Sequence, residues 1–214
     1  MILQKKHDIN AVLIGMVLGD SCIANPRINP YLTTEHSIKQ LPYLEWKREL
    51  LKSFLDGGIK PTKRNGFYWQ TGRTSRLKYL YQDFYKFPYV GARNRIKKVN
   101  RKLLNRLTTM GLAIWICDDG SLCKRDRVLS LSTFNFQREG NEIIQQWFKD
   151  KFNLEPRILR NTVKNSTPKN EWFLRFTVKD TKTLLDITGP IIRQIPSMEY
   201  KAEIRPYKKK QVIT

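Results

Sequence analysis

The sequence predicts an α+β fold in which one chain runs through a single αββαββα plan twice, with pseudo-twofold symmetry between the halves. Two observations carry this. The apolar stretches LIGMVLGDS (Leu13–Ser21) and LAIWICDDG (Leu112–Gly120) match in register and set Asp20 opposite Asp119, almost half of the 214-residue chain away. After each stretch, strand-like and helix-like segments then recur in the same order. A carboxylate at the end of a buried helix is expensive to desolvate unless a cation or hydrogen bonds compensate it. Two of them in matching positions point to a shared metal site built by duplication.

Asp8 is placed to cap a helix over Ile9–Asp20. Ile9, Val12, Leu13, Met16 and Val17 keep helical spacing, and Ala11, Ile14, Leu18 and Gly19 fill the other side. A helix apolar all round is buried on several faces. Gly15 and Gly19, one turn apart, would admit a second backbone; Ala113 and Cys117 are the small residues of the matching helix, Thr109–Asp119. Strand-like segments follow at 28–35 and 128–133, then polar-faced helices at 42–55 and 137–151. Next come strands at 59–64 and 67–71, matched by 157–163 and 172–178, and closing helices at 75–85 and 181–192. Trp172, Leu174, Phe176 and Val178 alternate with Phe173, Arg175 and Thr177; Leu129 and Leu131 oppose Ser130 and Ser132; Tyr68 and Gln70 share a face. The expected division is a repeat over 1–95, a connection over 96–108, and a second repeat with a basic tail over 109–214.

Forty Lys and Arg stand against 19 Asp and Glu, a formal net charge of +21, which favours a polyanionic partner. With 40% hydrophobic and 11% aromatic residues the chain is no disordered basic tail. No apolar run reaches the roughly 18 residues of a spanning helix, so a membrane protein is not expected. MILQKKHDIN lacks a signal-peptide pattern, and Cys22, Cys117 and Cys123 form no C-x-x-C pair, which fits reduced thiols inside a cell. His7 and His36 are the only histidines, too few for a His-rich metal site, and each reads as an isolated side chain. The polar strand faces have Lys60, Lys63, Arg64, Arg73, Arg157, Arg160, Lys164 and Lys169 as neighbours, a basic concave-sheet pattern suited to nucleic acid.

Both nine-residue stretches resemble the motif that names the LAGLIDADG homing endonucleases, with Asp20 and Asp119 at its catalytic acidic position. Ile195-Pro196-Ser197-Met198-Glu199-Tyr200-Lys201 is similar to the I-P-x-M-x-Y-K segment of single-chain members, and Ile96-Lys97-Lys98-Val99 looks like its first-half counterpart. The resemblance spans roughly 8–205. It departs from the family pattern at Leu18 and Cys117, where the name has an acid, at Ile114, which stands opposite Gly15, and in the first-half lysine segment, where Lys97 competes with Lys98.

The resemblance implies a saddle of two four-stranded antiparallel sheets around two central packed helices. It implies a monomer that hydrolyses one phosphodiester in each strand of a long, asymmetric double-stranded DNA target, with Mg²⁺ as cofactor. Asp20 and Asp119 would hold the ions, with backbone carbonyls around Gly19 and Asp118 as further ligands. The Asp118 carboxylate would be either a supporting or a purely structural group. Lys98 and Lys201 would polarise the attacking water or stabilise the transition state. Arg175, Gln70, Arg157, Arg160 and Arg73 are expected at bases, and Lys63, Lys164, Lys169 and the tail Lys208–Lys210 at phosphates, with Lys60, Arg64 and Tyr68 on the same surface. An RNA maturase acting on its host intron RNA and a non-catalytic DNA-binding regulator would use the same scaffold.

Overall fold

The computed structural model describes residues 6–24, 29–86, 96–161 and 171–204. The first half contains α1 (Lys6–Leu18), β1 (Cys22–Ala24), β2 (Tyr31–Ser37), α2 (Leu41–Leu51), β3 (Gly57–Pro61), β4 (Gly66–Thr71) and α3 (Lys78–Phe84). A short ladder of β5 (Tyr85–Lys86) and β6 (Ile96–Lys97), then α4 (Arg101–Asn105), leads to the second half. That half contains α5 (Thr109–Asp119), β7 (Gly120–Cys123), β8 (Val128–Leu131), α6 (Gln137–Phe152), β9 (Arg157–Arg160), β10 (Trp172–Arg175) and α7 (Val178–Ile192). The two four-stranded sheets have the same antiparallel order, β1-β2-β4-β3 and β7-β8-β10-β9. The fold is the α+β two-repeat saddle around a central helix pair.

The all-round apolar surface of α1 and α5 takes both helices into the centre: residues 11–19 and 111–117 are buried without a break. Their crossing is backbone on backbone. A Cβ added to Gly15 would lie 2.1 Å from the Gly111 carbonyl oxygen, and one added to Gly111 would lie 2.3 Å from that of Ala11. Gly15 makes the expected close approach, and the small residue it meets is Gly111, two residues before Ala113, because the helices cross nearer the start of α5. Gly15→Ala therefore forces two backbones apart. We expect it to destabilise by about 3 kcal/mol, the upper end for overpacking, as measured by urea unfolding; an unchanged midpoint would contradict the crossing.

Two boundaries correct the sequence reading. The first helix already includes Lys6, so Asp8 lies within it and not at its start. The strand expected over 172–178 stops at Arg175, because the Thr177 side chain accepts from the Asp180 N–H and starts α7 at Val178. Capping an orphan N–H wins over one more alternating position. Val178 is left 43% exposed, while Leu174 and Phe176 stay in the core. Among the described residues no helix is long and apolar enough to cross a membrane.

Candidate active site

α1 ends in a tight turn, with Gly19 N–H donating to Gly15 O at 3.1 Å and Ser21 N–H to Met16 O at 2.9 Å, which presents Asp20 at the surface. Asp119 is the last residue of α5. The two motif ends adjoin so closely that a Cβ on Gly19 would lie 2.5 Å from Asp118 Cβ. Burial, then the Asp118 charge, raises the Asp20 carboxyl to about 6, against the pull of Lys47, Lys201 and Lys97. Its side chain keeps 40% of its surface, so solvent screens that shift. Asp119 is raised further, to about 8, by burial and then by Asp20 and Asp118, while Lys97 and the Trp115 hydrogen bond oppose the rise. Trp115 Nε1 donates to Asp119 Oδ2 at 3.2 Å.

A lysine docks on each motif end. Lys97 Nζ donates to Gly19 O at 3.2 Å and to Ser21 O at 3.3 Å; Lys201 Nζ donates to Asp118 O at 3.3 Å and to Cys117 O. Burial pulls both ammonium pKa values down, against the neighbouring acids. Of the two candidate lysines it is Lys97, not Lys98, that makes on the first motif end the kind of contact Lys201 makes on the second. On the extended chain Lys97 lies on the side of buried Val99, whereas the half-buried Lys98 side chain makes neither contact. The pairing also crosses between repeats: Lys97 opposes the rise of Asp119, and Lys201 acts on Asp20 more than Lys97 does.

Asp118 has a different setting. Its side chain is fully buried, and Lys47 Nζ, also fully buried, lies 2.6 Å from Oδ1. Tyr43 OH donates to Oδ1 at 2.9 Å, and Asp20 N–H donates to Oδ2 at 3.3 Å. Lys47 also lies 3.0 Å from His36 Nε2 and 4.2 Å from the centre of the Tyr43 ring. Burial, then Lys47, lowers His36 to about 4, so the ring is neutral. Donor atoms of Asp20, His36 and Asp118 lie within 4.8 Å of one another, but Lys47 and Tyr43 already engage Asp118. The Asp118 carboxylate is thus already engaged by Lys47, Tyr43 and the Asp20 N–H, while its carbonyl accepts from Lys201. His36, expected as an isolated residue, is buried in this network. Lys47, Tyr43, His36 and Trp115 were not read as site residues. The available signal was Lys47 itself, in phase with Tyr43, Leu44 and Leu51 on the buried face of α2.

The outer face of the first sheet carries Lys60 opposite Tyr68 and Gly58 opposite Gln70, with Glu35 and Thr33 beside them on β2. Lys63 and Arg64 lie in the β3–β4 turn, and Arg73 follows β4. In the second sheet Arg157, Arg175 and Ser130 are in register on one face. Arg160 pairs with Trp172 three residues on, and odd spacing turns it to the opposite face, which corrects its grouping with Arg157. Arg175 Nη2 is 3.8 Å from Asp126 Oδ2, so one acid already faces it. Lys164, Lys169 and Lys208–Lys210 lie outside the described residues.

Two motif ends, each carrying an acid and a docked lysine between two basic sheet faces, define a two-centre site on a duplicated scaffold. Residues 10–184 match the LAGLIDADG DNA endonuclease family, and the chain belongs to that family. It is 33% identical over 99 residues to "Probable intron-encoded DNA endonuclease 3" of Mycosarcoma maydis, covering 46% of this chain and 66% of the relative. It is 29% identical over 173 residues to "Cytochrome b mRNA maturase bI2" of Saccharomyces cerevisiae, covering 80% of this chain and 38% of the relative. The fold matches the homing endonuclease I-WcaI bound to its DNA recognition sequence, with a TM-score of 0.75 and 24% identity over 96% of this chain and 89% of that one.

Proposed function

We propose that this chain is a monomeric, site-specific homing endonuclease, intron-encoded in origin, that makes a double-strand break in a long asymmetric DNA target. The observation that carries the reading is the pair of acids at adjoining helix ends, each with its own lysine docked on the motif carbonyls. Their donors are hard oxygens, the carboxylates of Asp20 and Asp119 and the carbonyls of Gly19 and Asp118, and burial, then the neighbouring acids, makes negative charge on the two carboxylates costly. That set fits Mg²⁺, which takes few carboxylates and keeps several waters. When bound, Mg²⁺ would lower the pKa of a water and offset charge on the scissile phosphate. Asp20 and Asp119 would hold the ions beside one phosphate of each strand. Lys97 and Lys201 would place an ammonium where the attacking water, or the phosphate as it gains charge, has to be stabilised. The outer sheet faces, with Lys60, Tyr68, Gln70, Arg157 and Arg175, would lie along the major groove, and each phosphate neutralised would steepen log K against log salt by about 0.9.

Cation binding should carry a proton signature. Asp119 has a folded pKa of about 8, above the ordinary carboxyl value of 3.8, so the folded state holds a proton that the unfolded state releases. Without metal its contribution to stability is fullest below 3.8 and falls as pH rises through about 8. His36 works in the opposite sense, losing stability as pH falls from 6.5 through about 4. A divalent cation competes with the Asp119 proton. Millimolar Ca²⁺ or Mg²⁺ is therefore expected to raise the melting temperature more at pH 8 than at pH 6, read by differential scanning fluorimetry. An equal rise at both would count against Asp119 as a ligand.

The functional test is a cleavage selection on a randomised duplex library with Mg²⁺, followed by sequencing of the new ends. Discrete ends at one long motif are expected. Enrichment of bound duplex or intron RNA without new ends would favour a maturase, the role named for the Saccharomyces relative, or a DNA-binding regulator.

A further inference from the structure

Asp20 and Asp119 occupy matching places in the two motifs but are held by different devices. Asp119 is held from within its own helix, by the indole N–H of Trp115; Met16 stands at that place in the first motif. Asp20 is held across the repeats. Its N–H donates to Asp118 Oδ2, and His36 Nδ1 lies 3.7 Å from its Oδ2. Lys47 fixes both holders, at 2.6 Å from Asp118 Oδ1 and 3.0 Å from His36 Nε2. An imidazole nitrogen facing an ammonium accepts, which leaves the ring proton on Nδ1, the nitrogen turned to Asp20.

Among the described residues the second half has no ion pair at this place: Thr133, in the register position of His36, and Asn141 of α6 form an uncharged pair instead. The buried positions Tyr43, Leu44, Lys47 and Leu51 of α2 fall in phase with Gly140, Asn141, Ile144 and Phe148 of α6. Ile144 thus stands for Lys47, Gly140 for Tyr43, and Gly19 for Asp118. Uncharged, well-packed residues usually serve stability at least as well as a buried ion pair, and the second half fills the place with Gly140, Ile144 and the Thr133–Asn141 pair. Retention of the pair in one half alone calls for a role other than stability.

We propose that the Lys47–Asp118 pair is a positioning device for Asp20 and that Trp115 is the separate device for Asp119, so that the two strand cuts are controlled independently. The proposal rests on the endonuclease reading. Its test uses a supercoiled plasmid carrying the selected target. Lys47→Met alone would strand the Asp118 charge and endanger the fold, so the variant is Lys47→Met combined with Asp118→Asn, which removes both charges at nearly constant shape. This double variant should melt within a few degrees of wild type (~5 °C) and bind the duplex as tightly. It should accumulate nicked circles with the same strand intact in every molecule, that strand being cut about tenfold more slowly or worse. Trp115→Phe should leave the opposite strand intact. Equal slowing of both strands, or the same strand spared by both variants, would overturn the proposal, since a merely structural role does not choose between strands. A wild-type chain that cuts neither strand would overturn the endonuclease reading and this proposal with it.

Discussion

Asp20→Asn and Asp119→Asn should each abolish double-strand cleavage, lowering the rate by about three orders of magnitude, the scale of losing a preorganised electrostatic group in a dry site. Folding should be spared. Burial, then the acidic neighbours, raises each carboxyl, so a neutral amide avoids the cost of a buried carboxylate, and the melting temperature without metal should hold or rise. Target binding should also be kept, because the sheet faces that would contact DNA are untouched. End-labelled cleavage and gel-shift assays on the same preparations separate these effects. Normal cutting by either variant would contradict the metal-ligand assignment.

Lys201→Met and Lys97→Met should rank next, each slowing cleavage by about 10²-fold with binding weakened far less. Lys201 is buried and Lys97 half-buried, and both donate to motif carbonyls, a place from which they would reach the reacting phosphate and not the length of the duplex. Lys98→Met is the control that separates the two readings of the first-half segment: its side chain faces away from the motif, so cleavage should stay within about twofold of wild type, in line with an ordinary surface substitution. Equal losses of cutting and binding in Lys201→Met would make that lysine a phosphate anchor. A larger loss for Lys98 than for Lys97 would reverse the assignment.

The parts legible in the sequence were those written as periodicity and repetition. The central helices, three strands of each sheet and the placement of Asp20 and Asp119 at adjoining ends follow from apolar runs, alternation and register, whereas the short edge strands β1 and β7 carry no such signal. Lys97 was harder, because choosing between adjacent lysines depends on which side of an extended segment turns inward, and no alternation signal covers four residues. Arg160 poses a related difficulty: it lies three residues from Arg157, an odd step that reverses its face. Gly111 was missed because the crossing point of two helices is a tertiary fact. The Lys47–Asp118 pair joins residues far apart in the chain, and a lysine on a helix in isolation reads as solvated unless the burial phase of its neighbours is taken at its word.

The central claim is that one chain carries two cutting centres, and single-turnover cleavage of the selected duplex by an equimolar amount of protein tests it most directly. With Mg²⁺ present and both strands labelled, each strand should be cut once at a fixed position, with full conversion at one protein per duplex, and Ca²⁺ in place of Mg²⁺ should leave both intact. Conversion that requires two proteins per duplex, or that stops at a nick in one strand, would contradict it.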